Sequence, residues 1–260
     1  MQTQRKQPNI VLPSIVPKSS QQQLSELREG FREFAYRVSH DVNAPMRSVV
    51  NFSELLARKY EKTLLDNQAR DYLAYIVKGV KQAQDMLDAL LEYSRIDTLS
   101  NPTIESDCNL ILERCLRLLH PLIERFEVTV RSEPLPFVLC EPKQLEKLFC
   151  VLIENAIQFR SSGRIPEVSI GAKSIQDAWL FWVADNGIGI APKYHKEIFQ
   201  AFRHVHTGVM QSGLGMGLAI AQKIIQRHKG EIWVVSDSDL GSVFYFTLPA
   251  DDKILKEEDI

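Results

Sequence analysis

The sequence predicts two units of different construction: an antiparallel helical hairpin that pairs with a second copy into a four-helix bundle, followed by an α/β sandwich with helices on one face of a mixed sheet. Three observations predict it. Apolar residues in the first hundred positions recur at helical steps of three and four. Near residue 97 they give way to a polar, Pro-containing stretch, and beyond it helical segments alternate with short runs rich in β-branched and aromatic residues. A chain of 260 residues, 45% hydrophobic and 25% charged, is long enough for two such units, each with its own core.

Residues 1–20 read as a linker, because prolines break the apolar NIVLPSIVP. The hairpin takes residues 21–97. Its first helix is traced by Leu24, Leu27, Phe31, Phe34, Val38, Val42, Pro45, Val49, Phe52 and Leu56. A polar break, KTLLDNQ, precedes a second helix traced by Tyr72, Ile76, Val80, Ala83, Leu87, Leu90 and Ser94. Two helices with narrow seams cannot enclose a core alone, and a homodimer is the economical solution. Residues 98–107 form the connection. In the second unit, 108–250, helical spacing covers 108–126, 142–160 and 216–229, and the strands are VTVRS, FVLC, EVSIGAK, AWLFWVAD, EIWVVSD and SVFYFTLP. The acidic end, 251–260, reads as a solvated tail.

Composition narrows the function classes. A formal net charge of -2 with both signs interspersed offers no basic field for nucleic acid. No apolar run approaches the roughly 20 residues that cross a bilayer. The four cysteines, Cys108, Cys115, Cys140 and Cys150, lack CxxC spacing and sit in apolar stretches, as reduced core thiols do in the cytoplasm.

Two groups of residues carry chemistry. On the first helix, His40 stands two residues past the seam residue Val38, with Asp41 beside it. An exposed imidazole whose tautomer is held by a carboxylate is a nucleophile. Pro45 removes the backbone bond to the carbonyl of Asp41 and bends the helix. SHD alone describes many inert surface histidines, so it needs a phosphate donor elsewhere in the chain.

The second half offers one. Asn155 interrupts an apolar helical stretch; its amide either braces the sheet or ligates Mg²⁺ on a triphosphate. VADNGIGI puts Asp185 at a strand end, followed by Gly187 and Gly189, which is either a simple turn or an acceptor for the adenine amine with backbone close to the base. SGLGMGL places Gly213, Leu214, Gly215, Met216 and Gly217 at a helix start, an anion site for phosphates. Between these boxes a segment of over twenty residues, carrying Phe199, Phe202, Arg203, His204 and His206, suits a mobile lid. A metal site at His204 and His206 lacks a third ligand.

In order, SHDVNAPMRSV, QLEKLFCVLIENAIQFR, DNGIGI, IFQAF, SGLGMGLAIAQKIIQRHKGEIWV and GSVFYFTLP resemble the sensor histidine kinases, and look closest to their phytochrome-like bacterial branch, over about residues 24–249. The resemblance implies a sandwich of the histidine kinase and gyrase type that binds ATP and Mg²⁺, with Asn155 as the metal ligand and Asp185 as the adenine contact. It implies that Gly187, Gly189, Phe202, Arg203, His204 and the residues from Gly213 to Gly217 surround the nucleotide. His40 is then the phosphoacceptor, Asp41 its acidic neighbour, and the receiver domain of a response regulator the partner. A sensor domain upstream, and transfer within or between subunits, stay open.

Several positions depart from the pattern. Val151 stands where many relatives have a second Asn, Gln158 where a Lys is usual, and His204 where an Arg is expected, with Arg203 one place earlier. Each change removes or moves a donor or charge near a triphosphate, and a catalytically weakened nucleotide-binding or scaffold protein of the same fold is the alternative they suggest. Ala44, where relatives carry Thr or Asn to place a hydrolytic water, predicts weak phosphatase activity. An ATPase clamp of the gyrase and MutL kind shares the nucleotide fold but has no use for the histidine hairpin.

Overall fold

The computed structural model describes residues 42, 46–58, 67–96, 101–203 and 214–250. His40, Asp41, Ala44, Pro45, His204 and Gly213, with the predicted linker and tail, lie outside the described residues. Two helices open the described chain: α1 over residues 46–58 and α2 over Asn67–Arg95. Lys81 on α2 reaches Glu54 on α1 at 3.5 Å, so the two lie side by side.

The second unit follows as β1 (Ile104–Asp107), α3 (Cys108–Arg125), β2 (Thr129–Ser132), β3 (Phe137–Cys140), α4 (Pro142–Gln158), β4 (Glu167–Ile175), β5 (Ala178–Asp185), α5 (Gly217–Arg227), β6 (Ile232–Ser236) and β7 (Ser242–Pro249). Five strands form one sheet in the order β2-β4-β5-β7-β6. β2 runs parallel to β4 and the other pairs are antiparallel, the mixed sheet expected from the sequence. The three predicted helical segments agree with α3, α4 and α5 to within two residues at each end.

Alternation along the strands puts one face of the sheet in the core. Val168 and Ile170 on β4, Phe181 and Val183 on β5, Val234 on β6, and Phe244, Phe246 and Leu248 on β7 are all buried. Phe181 and Phe246 are direct cross-strand partners, stacked with centroids 4.8 Å apart, and Phe149 of α4 meets both edge-on at 6.4 and 5.9 Å. α4 is thereby pinned to the sheet centre. Behind it, the Cys150 thiol lies 2.9 Å from that of Cys115 on α3. All four cysteines are buried and none is in a disulfide.

Two sequence expectations need correction. The C-terminal part of the connection, read as irregular, is the strand β1, paired antiparallel with β3 from Ile104↔Cys140 to Asp107↔Phe137. IESD holds one β-branched residue among polar ones, too little to announce a strand, and its pairing comes from a segment some thirty positions away. Asp107 also caps α3, accepting from the backbone N–H of Asn109 at 2.8 Å. The segment read as one lid is anchored at its start by two 3-10 turns, Pro192–Tyr194 and Glu197–Phe199. Ile198 and Phe199 are buried, and Phe199 packs edge-on to Phe244 at 6.5 Å.

Candidate functional site

A cavity of about 450 Å³ opens between α4, the end of β5, the start of α5 and α2. Of the residues singled out from the sequence, Asn155, Asp185, Gly189, Arg203, Leu214, Gly215, Met216 and Gly217 line it together. Gly187 and Phe202 are described but are not in its wall.

Asp185 ends β5, where the strand leaves the sheet beside β7. Its Oδ1 accepts from the backbone N–H groups of Gly187 at 2.8 Å and Ser242 at 3.2 Å. No bond to Oδ2 occurs among the described residues, which leaves an acceptor on the cavity wall. Burial pushes the carboxyl up to about 6, against the two N–H bonds, which favour ionisation. The loop that follows is held by Asn186, whose amide accepts from Glu167 N–H and donates to the Ile165 carbonyl, both at 2.9 Å.

The glycines here serve the protein's own backbone. A Cβ on Gly187 would sit 2.4 Å from the Phe159 carbonyl oxygen, and one on Gly189, at φ +69°, 1.9 Å from that of Asp237. Sequence reasoning had these residues make room for a ligand. In the structure Gly187 lies against both the Phe159 carbonyl at the end of α4 and the Asp185 carboxylate.

Asn155 lies on α4 with its amide nitrogen buried and without a hydrogen-bond partner among the described residues. An orphaned buried amide calls for a ligand. Oxygen and nitrogen of an amide are interchangeable by rotation, so the same group can present its carbonyl to a hard cation. At the far wall α5 starts at Gly217, and no side chain caps it. Its first N–H groups are the donors an anion would use. The donor set therefore fits a magnesium-bound phosphate chain.

Gly215, at φ +66°, accepts at its carbonyl from the Phe202 N–H at 2.8 Å, which closes the base of the lid segment. Arg203 donates to Glu197 Oε2 through Nη2 at 2.7 Å and Nε at 3.2 Å. Val151, the position without its Asn, lines the cavity and stands 3.2 Å from where a Gly217 Cβ would be. Gln158 lines it too.

Sequence reasoning missed part of the wall. Ile190, Ile198, Ile220 and Phe244 supply an apolar surface suited to a flat base, and Ser242 supplies the second N–H to Asp185. Unexpected as well are Lys147 and Glu154 on α4, and Asp85, Asp88 and Glu92 on α2. The α2 residues follow helical spacing on a face away from the seam, a signal that points at nothing until the sandwich is docked beside it.

The model of the "Histidine kinase-, DNA gyrase B-, and HSP90-like ATPase" family matches residues 140–252, and that of the "His Kinase A (phospho-acceptor) domain" matches residues 32–99. The chain is 40% identical over 218 residues to cyanobacterial phytochrome A of Nostoc sp., covering 84% of this chain and 28% of that protein. It is 37% identical to phytochrome-like protein Cph1 of Synechocystis sp., over 84% of this chain and 29% of the relative. The chain thus spans less than a third of the relatives' length. Among solved structures, full-length ShkA in complex with AMPPNP shares the fold with a TM-score of 0.62 at 24% identity, over 84% of this chain and 45% of that one. The Acinetobacter baumannii histidine kinase AdeS does so with 0.57 at 19% identity, over 80% and 98%. No helix among the described residues is long and apolar enough to cross a membrane.

Proposed function

Because the chain belongs to the sensor histidine kinases, with a phosphoacceptor region followed by an ATPase domain of the histidine kinase and gyrase type, we propose that it phosphorylates His40 from ATP and hands the phosphoryl group to an aspartate of a response regulator. The observation that carries this reading is one cavity that joins the Asp185 carboxylate, the unpartnered Asn155 amide and the uncapped start of α5.

In this reading Asp185 Oδ2 accepts from the exocyclic amine of adenine while Ile190, Ile198 and Phe244 cover the base. The phosphates lie toward Gly215 and the first turn of α5, and Arg203 turns from Glu197 to them. Asn155 would hold Mg²⁺, which supplies charge neutralisation on the phosphate oxygens. The neutral imidazole of His40 attacks the γ-phosphorus, the bond to the bridging oxygen breaks, and ADP leaves. Asp41 accepts the proton from the other ring nitrogen. Attack by the partner's aspartate on the phosphohistidine then regenerates His40. Residues 21–97 are then the hairpin and, with β1 added to 108–250, residues 104–250 the ATP-binding domain, in a cytoplasmic protein.

A homodimer belongs to the same proposal. The seam residues Val49, Phe52 and Leu56 are 44%, 67% and 48% exposed in the single chain. That apolar row needs a partner, and a second hairpin of the same kind supplies one.

The test is to incubate the chain with γ-labelled ATP and Mg²⁺, beside His40→Gln. Acid-labile label is expected on the wild type and absent from the variant. ATP binding without any label would instead make the chain a nucleotide-binding scaffold.

A further inference from the structure

Lys147 stands on the cavity face of α4. Positions 147, 151, 155 and 158 advance by four, four and three, so their side chains form one row, and all four line the cavity. The Lys147 Nζ lies 2.8 Å from Oε1 and 3.0 Å from Oε2 of Glu92 on α2. Glu92 has company, because Asp85 and Asp88 bring two more carboxylates from the same helix to the same wall.

Charge in the cavity is therefore unbalanced. Its wall holds Asp85, Asp88, Glu92, Glu154 and Asp185 against two cations, Lys147 and Arg203. Both cations already face carboxylates, Lys147 facing Glu92 and Arg203 facing Glu197. Mg²⁺-ATP keeps a net negative charge, so its terminal phosphate meets repulsion here that a cation changing partner relieves. Lys147 is placed to do so. It is about 12 Å along α4 from Asn155, at the end of the row that touches the hairpin, which is where the terminal phosphate has to point to reach a histidine on that hairpin.

We propose that Lys147 is a phosphate-positioning residue that exchanges Glu92 for the γ-phosphate of ATP, and that it replaces the positive charge missing at Gln158. The inference rests on the nucleotide-binding reading above and assigns a residue within it. The exchange also releases α2 from α4 at this point, so that γ-phosphate arrival and loosening of the hairpin are one event. Glu92 is the competitor: while it holds Lys147, the cavity favours nucleotides that lack the third phosphate.

Calorimetric titration of the full chain with Mg²⁺-ATP and Mg²⁺-ADP tests this, with Lys147→Gln, Lys147→Arg and Glu92→Gln beside the wild type. A lost charged contact to the γ-phosphate weakens ATP binding about tenfold to a hundredfold in Lys147→Gln. ADP binding stays unchanged in the same variant, which also verifies its fold. Lys147→Arg keeps most of the ATP affinity, and Glu92→Gln tightens ATP without affecting ADP. Equal ATP affinity in Lys147→Gln and wild type, or equal weakening toward both nucleotides, overturns the assignment. A wild type that binds neither nucleotide overturns the nucleotide-binding reading and this inference with it, an outcome distinct from failure of the lysine alone.

Discussion

Asp185 shows how one residue can be tuned by its surroundings in two directions. Burial raises its carboxyl from the ordinary 3.8 to about 6 while two backbone N–H groups resist. With the folded value above the unfolded one, its contribution to stability is full below about pH 3.8 and is lost as pH rises through about 6. Nucleotide binding runs the other way, since the adenine amine needs an ionised acceptor. ADP affinity is expected to fall by about tenfold per pH unit below 6, relative to Asp185→Asn titrated in parallel. The comparison removes the titration of the phosphates themselves. Equal slopes in the two proteins between about pH 5 and 7 would refute the assignment. Val151 is the second residue-scale case. Asn is close to Val in volume, and Val151→Asn restores an amide one helical turn before Asn155. It should tighten ATP about tenfold and, because the free protein then buries an unpaired amide, destabilise the fold by about 1–3 kcal/mol. Titration calorimetry reads the first effect and thermal unfolding the second; unchanged affinity would mean that this position does not reach the phosphates.

At the scale of elements, the cavity depends on how α4 and α5 are held. His228, just past α5, donates from Nδ1 to the Ile224 carbonyl at 2.8 Å and accepts at Nε2 from the Glu141 N–H at 3.0 Å, so one imidazole ties the end of α5 to the start of α4. Burial depresses its pKa below the ordinary 6.5. The stability it contributes is complete above the unfolded value and is lost as pH falls below about 6.5, because protonation destroys the acceptor. Thermal unfolding against pH should therefore show a loss on acidification that is reduced in His228→Gln, whose amide can still accept from Glu141. Identical pH profiles would remove His228 from this role. The helices were readable from periodicity, because each buries one face over many residues, and six of the seven strands from their β-branched and aromatic content. β1 was not, since its four residues are held by β3 and by nothing in their own pattern.

For the whole molecule, the hairpin and the sandwich meet through contacts no local pattern announces: Lys147 with Glu92, Lys223 over the Tyr93 ring at 4.1 Å, and Arg227 and Gln144 donating to the Ile96 carbonyl at 3.1 and 3.0 Å. Beside them the buried Ile96, with Ala89 and Tyr93, packs against the sandwich core, whereas the apolar row Val49, Phe52 and Leu56 stays exposed and suits a second copy. Light scattering on the purified chain should return twice the monomer mass, and Phe52→Asp should shift it toward the monomer; a wild type that is monomeric at micromolar concentration contradicts the dimer. The sequence by itself determined the order of the two units, the helices and most strands, and the boxes around Asn155, Asp185 and Gly215. Those features follow from short-range rules, in which residues three, four or two apart share a face and glycine enters left-handed backbone angles at the least cost. Only the tertiary structure decided that Gly187 serves a helix carbonyl, that the lid begins on the buried Phe199, and that α2 lends its carboxylates to the cavity wall. Each of these depends on which distant segment is brought alongside. That choice is made by the burial of surfaces in three dimensions and leaves no periodic mark in the chain.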